Sequence, residues 1–95
     1  MVVGMAMIAV WLKVDEEHVV EALREAGKKL DSVEGEVALD FSSVSRLDPR
    51  AIRALEEFAA KADGKAVKVV LRGVNVGVYK VLKLVKLGSR FSFVA

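Results

Sequence analysis

The chain contains no cysteine, glutamine or threonine, one proline (Pro49), one asparagine (Asn75) and one histidine (His18). Without cysteine, neither a disulfide framework nor a thiolate metal site can form, which fits a reducing, cytoplasmic setting. A lone His18 has no partner imidazole for a zinc site and reads as a surface or boundary residue. The lack of Gln and Thr beside abundant Lys, Glu and Val leans toward a thermophilic composition. Long apolar runs are also scarce. Met1 to Leu12 is wholly apolar but too short to cross a bilayer. It has no basic segment before it, and Lys13-Val14-Asp15 offers no small-residue cleavage site, so neither a signal peptide nor membrane contact is expected. The simpler reading is a buried strand, with Gly4 marking a bulge or a close backbone approach.

Acidic residues are missing from one end of the chain. None follows Asp63, whereas Lys65, Lys68, Arg72, Lys80, Lys83, Lys86 and Arg90 all do. The half before Asp48 is acid-rich, so the formal net charge of +2 hides an acidic and a basic end. Segregated in space, such ends favour head-to-tail association or an acidic partner. At 95 residues and 54% hydrophobic, the chain is expected to form one domain, residues 1–95, with one core and too much apolar content for disorder.

In chain order, a strand is expected within Val2 to Val14. Asp15 then caps a helix running to about Leu30, with Val19, Val20, Leu23, Ala26 and Leu30 on one face and a Glu25–Lys29 pair outside. A turn at Asp31 to Gly35 leads to Val37–Phe41, where Val37, Leu39 and Phe41 alternate with Ala38 and Asp40 as a strand. Ser42 to Leu47 is a loop. Asp48 is a good N-cap and Pro49 suits the first helical position, opening a helix to about Ala62 that Gly64 ends as a left-handed cap. Ala66 to Leu71 reads as a sheet-centre strand with Lys68 near one end. Asn75 caps a third helix, roughly Val76 to Leu87, stopped by Gly88. Phe91 to Val94 is a last short strand. Alternating strands and helices imply an α/β fold with a small, mostly parallel sheet of about four strands covered by about three helices.

The stretch from Val37 to Arg53 resembles the STAS domain of bacterial anti-sigma-factor antagonists. That family reads hydrophobic-Asp-(Leu/Phe)-Ser and, a few residues on, hydrophobic-Asp-Ser-(Ser/Thr)-Gly before an amphipathic helix. Here Leu39-Asp40-Phe41-Ser42 is followed by Leu47-Asp48-Pro49-Arg50-Ala51. The likeness extends through Lys68–Val74 and Val81–Leu87, from about Gly35 to Val94. It implies a non-enzymatic protein-interaction module whose partner is an anti-sigma factor or related regulator. The family's phosphorylated Ser/Thr falls on Arg50, which cannot be phosphorylated. That implies a permanently binding-competent domain or a structural relative with another partner; a tolerated surface Arg is the plain alternative. Against the family the chain is short at both ends, so an open sheet edge or uncovered face, cured by a homodimer, is expected.

The expected partner-binding edge comprises Ser42, Ser43, Ser45, Arg46, Asp48, Arg50 and Arg53. Ser43 and Ser45, close to Asp48, are the favoured substitute phosphoacceptors. Lys80, Lys83 and Lys86 form a basic face that either meets solvent or binds an acidic protein or anionic lipid. No nucleic acid is expected, since only Tyr79 offers an aromatic platform. No catalytic residue, cofactor or metal is expected. Asp40 and Asp48 are the only neighbouring carboxylates, and both have structural roles available. Alternatives are a STAS-like scaffold subunit of a stress-signalling or lipid-transport complex, or a small-ligand or lipid binder using the apolar N-terminal segment.

Overall fold

The structure is a computed structural model that describes residues 8–94. Four strands, β1 (Ile8–Lys13), β2 (Glu36–Asp40), β3 (Lys68–Arg72) and β4 (Ser92–Val94), alternate with three helices, α1 (Val19–Lys29), α2 (Pro49–Gly64) and α3 (Val76–Leu84). The strands are all parallel and lie in the order β1-β2-β3-β4. Each crossover therefore steps one strand in the same direction. Right-handed crossovers of that kind put every helix on one face of the sheet.

The core agrees with that topology. Val37, Leu39, Val69 and Leu71 point to the helical face and join one buried cluster with Leu23, Leu55, Phe58, Val78 and Leu82. Register pairs Val37 with Val69 and Leu39 with Leu71. Successive strand residues alternate faces, so their neighbours Ala38 and Val70, with Trp11 in the same row, project from the opposite face. Tyr79 of α3 meets Phe93 of β4 edge-on, ring centroids 5.0 Å apart, which sets α3 over the β4 side of the sheet.

Several local expectations change. Met1–Met7, with Gly4, lie outside the described residues. Trp11, on the outermost of the described strands and on the face opposite the helices, is 48% exposed, so the apolar start of the chain is not buried throughout. Asp15 makes no side-chain cap; it precedes a 3₁₀ turn, Glu16–His18, in which its carbonyl accepts the His18 N–H. Glu25 meets Lys28 at 3.8 Å rather than Lys29. The left-handed residue after α2 is Ala66 (φ 56°), not Gly64, because the helix includes Gly64. α3 ends at Leu84, earlier than expected, and Lys86 (φ 65°), not Gly88, turns the chain. The expected small parallel sheet of four strands with three helices stands, and all its described strands are parallel.

Candidate functional site

At the carboxyl end of β2, the chain leaves the sheet at Asp40 and returns as a helix at Pro49. Sites in open α/β sheets collect at this edge. Phe41 and Val44 are buried, pinning the connecting loop to the core, while Ser42, Ser43, Ser45, Arg46 and Asp48 stay exposed.

Three polar side chains, Asp40, Glu16 and Asn75, fix the loop backbone, and Asp48 caps the helix that follows. Asp40 Oδ1 accepts the Ser42 N–H at 2.9 Å. The Glu16 carboxylate, from the turn before α1, accepts both the backbone N–H and the hydroxyl of Ser45. Asn75 Nδ2 donates to the carbonyls of Ser45 (3.1 Å) and Val44 (3.4 Å), while its Oδ1 caps α3 by accepting the Val78 N–H at 2.7 Å. Asp48 Oδ1 accepts the Ala51 N–H at 2.8 Å, with Pro49 at the first helical position. Gly73 completes the support. Its φ of 71° is one that L side chains avoid, and a Cβ built there would lie 2.8 Å from Ser42 Cβ.

The charges follow these bonds. Ser45's hydroxyl and N–H hold the Glu16 carboxyl below its ordinary range. Asp40 is held down first by Ser42 and then by Lys13 and Arg72, its register partners on the flanking strands. On the outer side, Arg46, Arg50 and Arg53 are exposed. A groove of 470 Å³ runs between the turn before α1 and the start of α2. Arg46 and Arg50 line one wall, Glu16, Glu17 and Glu21 the other, and Val20 and Leu47 contribute apolar surface.

The expected edge residues thus fall on one stretch, from the loop into the first turns of α2, with Ser45 held by Glu16. Lys80, Lys83 and Lys86 lie apart from it, on and just beyond α3. Sequence reasoning missed Glu16, which lies 29 positions from Ser45 and carries no local signal. It read Asn75 only as a cap. Asp40 and Asp48 each accept a backbone N–H, and the described residues hold no group of three or more His, Asp or Glu fit for a metal ion.

The family model described as MlaB, STAS domain, matches residues 13–94. No curated protein matches the chain. Among solved structures, a protein from Thermotoga maritima assigned as an anti-sigma factor antagonist superposes with a TM-score of 0.69 at 16% identity, over 86% of this chain and 71% of that one. At that identity the likeness is one of fold.

Proposed function

The chain belongs to the STAS domain family, and from this we propose that it acts as a non-enzymatic, cytoplasmic protein-interaction module. Its binding edge is the loop Ser42–Leu47 and the first turn of α2. One observation carries this reading: the loop's polar side chains face solvent while its backbone is held by Asp40, Glu16 and Asn75, and Asp48 caps the helix that follows. A prepared surface loses little conformational freedom on binding, which is how rigid edges gain affinity.

The partner is an anti-sigma factor or a related regulator. Arg50 stands where the family carries its phosphorylated hydroxyl. A phosphate at a helix N-terminus would be welcome there, and an arginine cannot accept one, so binding is constitutive at this position. Ser42 and Ser43 are the remaining exposed hydroxyls on the loop, with Ser45 engaged by Glu16.

A second reading is a scaffold subunit of a stress-signalling or lipid-transport complex. A loop fixed from several sides, with arginine in place of the switch, favours it. The small-ligand or lipid-binding alternative rested on the apolar N-terminal segment, most of which lies outside the described residues. No described helix is long and apolar enough to cross a membrane.

Titration calorimetry against the purified kinase-type anti-sigma factor and the purified transporter ATPase of the same genome separates the readings. Binding to the first, weakened at least about tenfold by Arg50→Glu, supports the regulator. Binding to the second alone supports the scaffold. Binding to neither, or binding indifferent to Arg50→Glu and to changes at Ser43 and Arg46, overturns the edge as the binding surface.

A further inference from the structure

The outer face of α3 is unusual for a small domain. Leu84 and Val76 are the most exposed of the large hydrophobics, at 81% and 69%. They lie eight residues apart with Lys80 midway, so the three form one stripe along the helix. Tyr79 and Lys83 run beside it, with Lys83 Nζ 5.7 Å from the Tyr79 ring centroid. Lys86 extends the row past the helix end. Lys65 and Arg90 are neutralised by Asp31 and Asp63. Among the described residues, Lys80, Lys83 and Lys86 form no ion pair.

The opposite edge of the sheet carries the complement. α1 connects β1 and β2, and α3 connects β3 and β4, so the two helices lie over opposite edges. The turn before α1 exposes Asp15, Glu16 and Glu17 in succession, and Glu21 follows one turn on. Glu16, Glu17 and Glu21 form one wall of the 470 Å³ groove, with Val20 and Leu47 as apolar surface and Arg46 and Arg50 on the wall opposite.

We propose that the basic α3 face of one copy docks on this acidic groove of a second copy, with Leu84 seated against Val20 and Leu47 and the lysines facing Glu17 and Glu21. The occupant is argued from charge and position. An apolar side chain flanked by cations meets the acidic wall of a groove, where Val20 and Leu47 lie near Glu17 and Glu21 and Arg46 and Arg50 form the wall opposite. The two surfaces lie on opposite edges of the described sheet. Such a contact is heterologous, because each copy uses a different surface. It forms rows or closed rings rather than a two-fold dimer. It also covers Arg46 and Arg50, so self-association and partner binding compete for one edge.

Sedimentation velocity on the full chain tests this. At low salt, weight-average size rises with concentration in the range of about 10 µM to 1 mM, the range of modest interfaces. At about 1 M salt, where the Debye length is about 3 Å, the chain is a monomer. Leu84→Asp alone is monomeric, and so is Glu17→Lys/Glu21→Lys alone. The decisive arm mixes the two. Each variant retains one working surface, but only one productive pairing remains, so the mixture yields a one-to-one dimer and nothing larger. A wild type that stays monomeric at low salt overturns the proposal, as does a mixture that stays monomeric. Co-sedimentation with phosphatidylglycerol vesicles without self-association also overturns it and moves the α3 face to a membrane. Leu84→Asp lies away from the Ser42–Arg53 edge, so partner titration of that variant reads the proposed function independently.

Discussion

Glu16 accepts two hydrogen bonds from Ser45, one from its backbone N–H and one from its hydroxyl, across 29 residues of sequence. The pair joins the turn before α1 to the loop after β2, and so sets where the loop stands against the first helix. Glu16→Ala removes the one oxygen, Oε1, that accepts both bonds, at an exposed position. The fold is expected to survive, because neither residue belongs to the core. Hydrogen exchange at the Ser45 amide is expected to quicken at least about tenfold, with core amides of β2 and β3 unchanged. An unchanged Ser45 exchange rate would show that the loop is held without Glu16.

The same carboxylates set an acid limit. Ser45 lowers the Glu16 pKa from its usual 4.5, and Ser42 and then Lys13 and Arg72 lower that of Asp40 from 3.8. Lys65 does the same for Asp31. A folded pKa below the unfolded one means that the unfolded chain binds protons first. The stabilisation is therefore fully present above the ordinary carboxylate range and is lost as pH falls through the folded pKa values. Urea midpoints are expected to hold steady from neutral pH down to about pH 5 and to fall below the usual 4.5 and 3.8 of these groups. Asp40→Asn should flatten part of that fall. An Asp40→Asn curve parallel to the wild type would remove Asp40 from the account.

Asp48 and Asn75 cap different helices, and only one of them also holds the loop. Asp48→Ala forfeits a single cap bond, a loss of about 1 kcal/mol, and Asp48→Asn restores most of it. Asn75→Ala forfeits the α3 cap together with two donations to loop carbonyls, for a loss of about 2 kcal/mol. Denaturant unfolding orders the two. Equal losses would mean that the bonds from Asn75 to Val44 and Ser45 contribute nothing.

Much of this was legible before any coordinates. The Asp48-Pro49 start of α2 follows from a local rule: a short acceptor, then a residue with no N–H and a helical φ. Asn75 is a similar local signal. The parallel order follows from strands alternating with helices. What stayed hidden was long-range or conformational. The contact between Glu16 and Ser45 depends on packing between α1 and the loop. The left-handed positions fell on Ala66 and Lys86 because α2 continues through Gly64 and α3 stops at Leu84. The apolar run as a whole read as a buried strand, and such a run does not reveal that β1 takes the edge of the described sheet or that Trp11 stands on the face away from the helices.

Trp11 also supplies an optical probe for that edge. The Arg72 guanidinium lies 5.0 Å from its ring centroid, reaching across β2 from β3 to β1 on the face opposite the helices. A cation over indole at a half-exposed site contributes about 0.5–1 kcal/mol. Trp11 is the only tryptophan, so fluorescence reports this contact alone. Arg72→Ala is expected to red-shift the emission and lower stability by about that amount. Arg72→Lys restores charge but not planar stacking, and should recover only part of the spectrum.

The loop after β3 meets the binding edge through Gly73, which makes two glycines diagnostic. Gly73 has φ of 71°, and a Cβ there would lie 2.8 Å from Ser42 Cβ and 3.1 Å from Ser42 Cα. Since Ser42 is held by Asp40 and backbone atoms cannot swing aside, Gly73→Ala must move the loop. A loss of about 1–3 kcal/mol is expected from the strained φ and the clash. Gly64 is the control. Its Cβ would meet nothing within 4 Å and its φ is not positive, so Gly64→Ala in the last turn of α2 should stabilise by about 0.5–1 kcal/mol. Opposite signs in thermal unfolding, with partner binding lost only in Gly73→Ala, would tie the glycine turn to the shape of the edge. If Gly73→Ala bound normally, Ser42 would have no part in recognition.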